Sequence, residues 1–115
     1  MAKKPEYNYK SLQTEYGKMP PQAVDLEEAI LGSLMLEKDA FITVSDFLKP
    51  ECFYKEAHQK IYRGIQNLSL NNEPVDILTV SEEMKRLGEL EEIGGYYYLA
   101  QLTSKVASAA HIEFH

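Results

Sequence analysis

The sequence predicts an all-α fold, a compact single-domain bundle of about six short helices. Three observations predict it. Apolar residues recur at three- and four-residue spacings, most clearly in Tyr54, Ala57, His58, Ile61, Ile65 and Leu68, which fall on one stripe of an amphipathic helix. No alternation of period two is sustained between hairpin turns. A chain of 115 residues is long enough for one core and too short for two comfortable ones.

Residues 1–19 are polar and scatter Tyr7, Tyr9 and Tyr16 among lysines and amides. They are expected to form a disordered tail, having too little apolar surface to offset the entropy of ordering. The folded domain is expected over residues 20–115. Pro20-Pro21 punctuates the chain, and from Asp25 the pattern turns helical, with Asp25, Glu27 and Glu28 in the first turns, where the helix dipole favours acids. The i,i+4 pairs Ile30–Leu34 and Leu31–Met35 turn one side of this helix to the core. Gly32 inside it costs about 1 kcal/mol relative to alanine and reads either as a point of close helix approach or as simple tolerance.

A second helix is expected through Ala40, Phe41, Val44, Phe47 and Leu48, capped by Asp39 and ended by Lys49-Pro50. The Tyr54–Leu68 stripe makes the central helix, leaving Lys55, Glu56, Lys60 and Arg63 on the other faces. After Asn71-Asn72-Glu73-Pro74, Thr79-Val80-Ser81-Glu82 has the form of a capping box, with Val80, Met84 and Leu87 as the apolar stripe and Gly88 as the stop. A further helix is expected to open after Gly94-Gly95 and carry Tyr98, Leu99 and Leu102 inward. Ser108 is placed to cap a last helix beginning at Ala109, which the end of the chain at His115 cuts short, as in a piece of something longer.

Charge narrows the function. The chain carries −6; residues 1–19 hold Lys3, Lys4, Lys10 and Lys18 against Glu6 and Glu15, leaving −8 on residues 20–115. A domain so acidic is repelled by nucleic-acid phosphates, which disfavours direct DNA binding by this segment alone. No apolar run approaches the roughly 18 residues of a membrane span, no signal peptide is legible, and Cys52 has no partner for an internal disulfide, so a reducing cytoplasm fits best.

No catalytic, cofactor or metal residue is assigned. The one Gly-Lys pair, Gly17-Lys18, is followed by Met19 and lacks the phosphate-cradling loop of an ATPase. Glu89, Glu91 and Glu92 beside Gly94-Gly95 would repel an anion, so the glycines read as a helix entry. His111 and His115 share a helical face, but no third ligand accompanies them, and the intervening Glu113 is not where a zinc-hydrolase motif has it. His58 reads as a packed, satisfied helix residue and Cys52 as a half-buried small hydrophobe. Tyr96-Tyr97-Tyr98 cannot all face one core, because successive helical residues point about 100° apart; at least one is exposed, as an interface anchor or incidentally.

The segments Pro20-Pro21-Gln22, Glu28-Ala29-Ile30-Leu31-Gly32-Ser33-Leu34, Leu48-Lys49-Pro50-Glu51-Cys52-Phe53-Tyr54, His58-Gln59-Lys60-Ile61-Tyr62, Pro74-Val75-Asp76-Ile77-Leu78-Thr79-Val80 and Leu90-Glu91-Glu92-Ile93-Gly94-Gly95 occur in an order that resembles the N-terminal domain of DnaB-type bacterial replicative DNA helicases. Cys52 stands where that resemblance leads one to expect an aspartate. The resemblance implies a non-catalytic domain of a hexameric helicase that unwinds duplex DNA 5′ to 3′, with ATP and Mg bound in a separate C-terminal motor domain. It implies partners as well: the C-terminal domain of primase, the other subunits of a collar built as a ring of dimers, possible helicase loaders, and DNA through the complete ring. It further implies Asp25 and Tyr98 as residues of the primase interface. A free-standing helical adaptor, or a single-strand binder using the tyrosines, remains an alternative on the helical period alone.

Overall fold

The structure is a computed structural model that describes residues 23–113, with side chains to residue 109. Its elements are α1 (Val24–Leu36), α2 (Ala40–Val44), a 3-10 turn (Pro50–Cys52), α3 (Glu56–Leu70), α4 (Ile77–Arg86) and α5 (Gly95–Glu113). The predicted tail and Pro20-Pro21 lie outside the described residues. No strand occurs among those described, so the all-α prediction holds, with five α-helices where about six were expected.

The difference in count arises in α5. The residues expected to form two helices make one continuous helix from Gly95, and Ser108 sits exposed within it rather than at a cap. A single serine between Ala107 and Ala109 costs little in a helix, and the flanking alanines are the best helix formers. No membrane-spanning helix, long and apolar enough, occurs among the described residues.

Burial follows the predicted stripes. Leu31, Leu34 and Met35 of α1, Ile61, Ile65 and Leu68 of α3, Val80 and Met84 of α4, and Leu99 and Leu102 of α5 form one core with Leu48, Phe53, Tyr62 and Ile93. Phe53 and Phe41 pack against the Tyr62 ring at centroid distances of 5.2 and 5.7 Å, and the Tyr62 hydroxyl donates to the Leu48 carbonyl at 2.7 Å. Burial pushes the Tyr62 pKa up to about 12, which keeps that hydroxyl a donor.

Four local expectations are corrected. Asp39 adopts a left-handed conformation (φ 66°) with no side-chain cap, because backbone bonds close the turn instead: Ala40 N–H donates to Glu37 at 3.1 Å and Ile42 N–H to Asp39 at 3.2 Å. Helix α2 stops at Val44, leaving Phe47 mostly exposed. The cap of helix α4 lies three residues before the predicted box. Asp76 is its cap, accepting from Thr79 N–H at 2.9 Å, while the Thr79 hydroxyl accepts from Asp76 N–H at 3.0 Å. Thr79 is thus the third residue of the helix, and the reciprocal pair satisfies two backbone donors. Tyr54, placed on the central stripe, precedes α3 and is half exposed.

Gly32 is a point of close approach. A Cβ built there meets the Leu102 carbonyl oxygen at 2.4 Å and Val106 Cγ2 at 2.8 Å, so α1 and α5 touch through it. Gly32→Ala is expected to destabilise the fold by about 1–2 kcal/mol, overpacking against backbone outweighing the gain in helix propensity. Equal or higher stability in urea denaturation would contradict the contact. Cys52 Sγ accepts weakly from Lys49 N–H at 3.4 Å, reaching back to the start of its 3-10 turn. Because a carboxylate serves that role better, Cys52→Asp should gain about 0.5–1 kcal/mol at neutral pH, and a lowered urea midpoint would show that the sulfur packs rather than caps.

Candidate functional site

Glu27 lies one turn before Leu31 and two before Leu34, on the buried side of α1, and is fully buried. A carboxylate in that position requires donors for its lone pairs. Glu27 Oε2 accepts from Tyr54 N–H at 2.6 Å, and Oε1 lies 3.5 Å from Lys55 N and 2.7 Å from His58 Nδ1. Lys55 begins α3 without a side-chain cap of its own, so a residue of α1 supplies the negative group at the entrance to α3.

His58 is also fully buried, and its two ring nitrogens face two helices. Nδ1 meets Glu27; Nε2 lies 2.7 Å from the Tyr98 hydroxyl of α5. The bonding assigns the protons: Nδ1–H donates to Glu27 and Nε2 accepts from Tyr98. Burial draws the His58 pKa below its ordinary value, outweighing the Glu27 carboxylate, which pulls the other way. The rings of His58 and Tyr98 are nearly parallel (8°), with centroids 6.0 Å apart, and the Lys55 ammonium lies 5.6 Å from the centre of the Tyr98 ring. Burial first, then Glu28, pushes the Tyr98 pKa up, so its hydroxyl remains a donor.

Tyr98 carries this buried chain to the surface. Its hydroxyl lies 3.4 Å from Glu28 Oε2, Glu28 pairs with the Lys105 ammonium, and the same ammonium is 3.5 Å from Asp25 Oδ1. Asp25 is almost wholly exposed. The two residues assigned from the sequence therefore occupy one face, formed by the first turn of α1 and the middle of α5. Glu28, Tyr97, Tyr98, Gln101 and Lys105 line an open hollow of about 590 Å³ there. Of the three consecutive tyrosines, Tyr96 and Tyr97 are exposed and Tyr98 is half-buried. Gly94 makes room for the last of these. It has φ 112°, and a Cβ on it would lie 2.7 Å from Tyr98 Cβ.

Residues 19–115 match the family model described as the DnaB-like helicase N terminal domain. The chain belongs to this family. A replicative DNA helicase DnaB of Rhodothermus marinus is 48% identical over 91% of the chain, and one of Geobacillus stearothermophilus is 41% identical over 85%. The chain spans only 11% and 22% of the length of those relatives. Among solved structures, the N-terminal domain of the DnaB helicase from Mycobacterium tuberculosis superposes with a TM-score of 0.72 at 43% identity, over 76% of this chain and 64% of that one.

Within this DnaB-like domain, Glu27, Glu28, His58 and Lys105 are the site residues that sequence reasoning missed. The signal was present for two of them: Glu27 and His58 each sit on the apolar stripe of their own helix, where an ionisable side chain is out of place unless paired. No group of three or more metal-ligating side chains occurs among the described residues, and those of His111 and His115 lie outside them.

Glu27→Ala should lower stability by about 2–4 kcal/mol, from unmade hydrogen bonds and a cavity. Because His58 binds fewer protons folded than unfolded at pH just below 6.5, its contribution is complete above that value and is lost as the pH falls through the lowered folded value. Thermal melts from about pH 7 down to about pH 5 should therefore show a falling midpoint that is flatter in His58→Asn. Parallel profiles would show that His58 does not govern this range.

Proposed function

We propose that this chain is the non-catalytic N-terminal domain of a cytoplasmic hexameric replicative DNA helicase, and that its α1–α5 face docks the C-terminal domain of primase. The family match supports the first part, together with relatives that are themselves replicative helicases. In this reading ATP, Mg and the unwinding of DNA belong to a C-terminal motor domain. The N-terminal domains of neighbouring subunits assemble as a ring of dimers into a collar, and a helicase loader is a further partner.

The observation that supports the docking reading is the joining of Asp25 to Tyr98 through Lys105 and Glu28 on one exposed face. Asp25 offers a free carboxylate edge, and Tyr97 and Tyr98 offer aromatic surface beside it. Tyrosine is among the residues enriched where interfaces are anchored, and a carboxylate at the rim adds charge complementarity. The acidic charge of residues 20–115 favours a basic protein surface over nucleic acid.

Titrating the primase C-terminal domain onto the chain, and onto the full-length helicase, tests this. Asp25→Ala should weaken binding about fivefold, more at low salt than at high, and leave the melting temperature unchanged. Tyr98→Ala should weaken it by about 5- to 150-fold; because the ring is half-buried, its melting curve must be measured beside the affinity. Unchanged affinity in both variants would sink the proposed face.

A further inference from the structure

The face just described depends on Tyr98, and the position of Tyr98 is set from inside the protein. We infer that Glu27 and His58 are positioning residues for that face: a buried relay in which Glu27 holds the His58 ring, and His58 Nε2 holds the Tyr98 hydroxyl. The inference rests on the docking reading for its consequence and on geometry for its mechanism.

The geometry is a chain of contacts with one direction. Glu27 accepts from Tyr54 N–H, and His58 Nδ1 lies 2.7 Å from it, which leaves His58 Nε2 a lone pair and no proton. That lone pair lies 2.7 Å from the Tyr98 oxygen, against 3.4 Å for the alternative acceptor, Glu28. The shorter contact fixes the hydroxyl toward His58, and the near-parallel rings fix the plane of Tyr98. Glu28 is thereby left to Lys105, and Lys105 to Asp25. A change at His58 thus alters the partners of three surface groups without touching the surface itself.

The charged and titratable groups facing His58 are Glu27 and Glu28 of α1, Lys55 before α3, and Tyr98 of α5, with Lys105 behind Glu28. A proton on His58 Nε2 turns that atom into a donor. The Tyr98 hydroxyl must then donate to Glu28 Oε2, on the carboxylate whose Oε1 pairs with Lys105. Since burial lowers the pKa of His58, this reversal belongs to the range below 6.5.

Substitutions at His58 separate the relay from simple packing, because an asparagine amide replaces Nδ1 and a glutamine amide replaces Nε2. His58→Asn keeps a donor for Glu27 and abandons Tyr98; His58→Gln keeps an acceptor for Tyr98. Tyr98→Phe keeps the ring and removes the hydroxyl. Affinity for the primase C-terminal domain, measured on folded variants at pH 7.5, is expected to fall about three- to tenfold in His58→Asn and in Tyr98→Phe. The double variant should be no weaker than either single one, and His58→Gln should recover part of the loss. Wild-type affinity should also weaken as the pH drops below 6.5, with His58→Asn flat. Losses that multiply in the double variant, or an unchanged affinity in His58→Asn, overturn the relay.

Ring-nitrogen and aromatic NMR shifts give a readout that needs no partner. His58 should show one neutral tautomer with Nδ1 protonated, and the Tyr98 resonances should move in His58→Asn. The opposite tautomer, or Tyr98 resonances that stay in place, overturns the relay even if primase binds. If the wild-type chain captures no primase domain while these spectra are as expected, the docking reading falls and the positioning of Tyr98 by His58 stands.

Discussion

Removing a carboxylate entirely from water is among the most demanding things a domain of this size can do, and Glu27 is removed entirely. The arrangement holds only while donors stay around it: the backbone at the entrance to α3 and the His58 ring. His58 adds a requirement of its own, since its second nitrogen needs the Tyr98 hydroxyl of α5. One acid therefore ties three helices to a common arrangement. The apolar core supplies the energy of folding, yet Leu31, Ile61 and Leu99 would tolerate a small slide of one helix past another. Hydrogen bonds of 2.6–2.7 Å to named atoms would not.

The contact between α1 and α5 is built to the same tolerance. Gly32 lets the two backbones meet over Leu102, and Gly94 leaves space for the Tyr98 side chain at the start of α5. Gly32 meets Leu102 and Val106, outside the polar chain, whereas Gly94 packs against Tyr98 within it, and both set the separation across which Glu27, His58 and Tyr98 must reach. A helix moved outward by a methyl group's width would lengthen those bonds beyond useful range. Packing and polar contacts thus specify one geometry from two sides, which is what gives a small bundle a single arrangement.

The helical periods made most of this fold legible in the sequence, because burial of Leu31, Ile61, Val80 and Leu102 follows directly from their spacing. The ends of helices were less legible. Asp39, Thr79 and Ser108 all have the chemistry of a cap, and none acts as the cap it was expected to be, because backbone turns, the nearby Asp76 and the flanking alanines decided those positions. At the candidate site, Asp25 and Tyr98 were reached through resemblance, and the structure brings both to one face. Glu27 was read as an acid favoured by the dipole of its own helix. It serves the entrance of another helix, a tertiary relation that no local pattern encodes, although its place on the stripe with Leu31 and Leu34 marked it as buried.

The same relation explains why the tyrosine run divides as it does. Three consecutive helical positions sweep about 200° of surface, so one ring alone is directed at His58 while Tyr96 and Tyr97 remain outside. Tyr98 is left as the residue with one end in each environment: its hydroxyl is bonded inward, and part of its ring lines the hollow beside Lys105. A leucine at that position would bury as much apolar area but would leave His58 Nε2 without a donor, stranding a polar atom in the core. A phenylalanine would keep the surface contour and strand the same atom. Only a side chain with a ring and a terminal hydroxyl satisfies the core and supplies the face together, so the demands of stability and of recognition meet at one residue rather than competing for it.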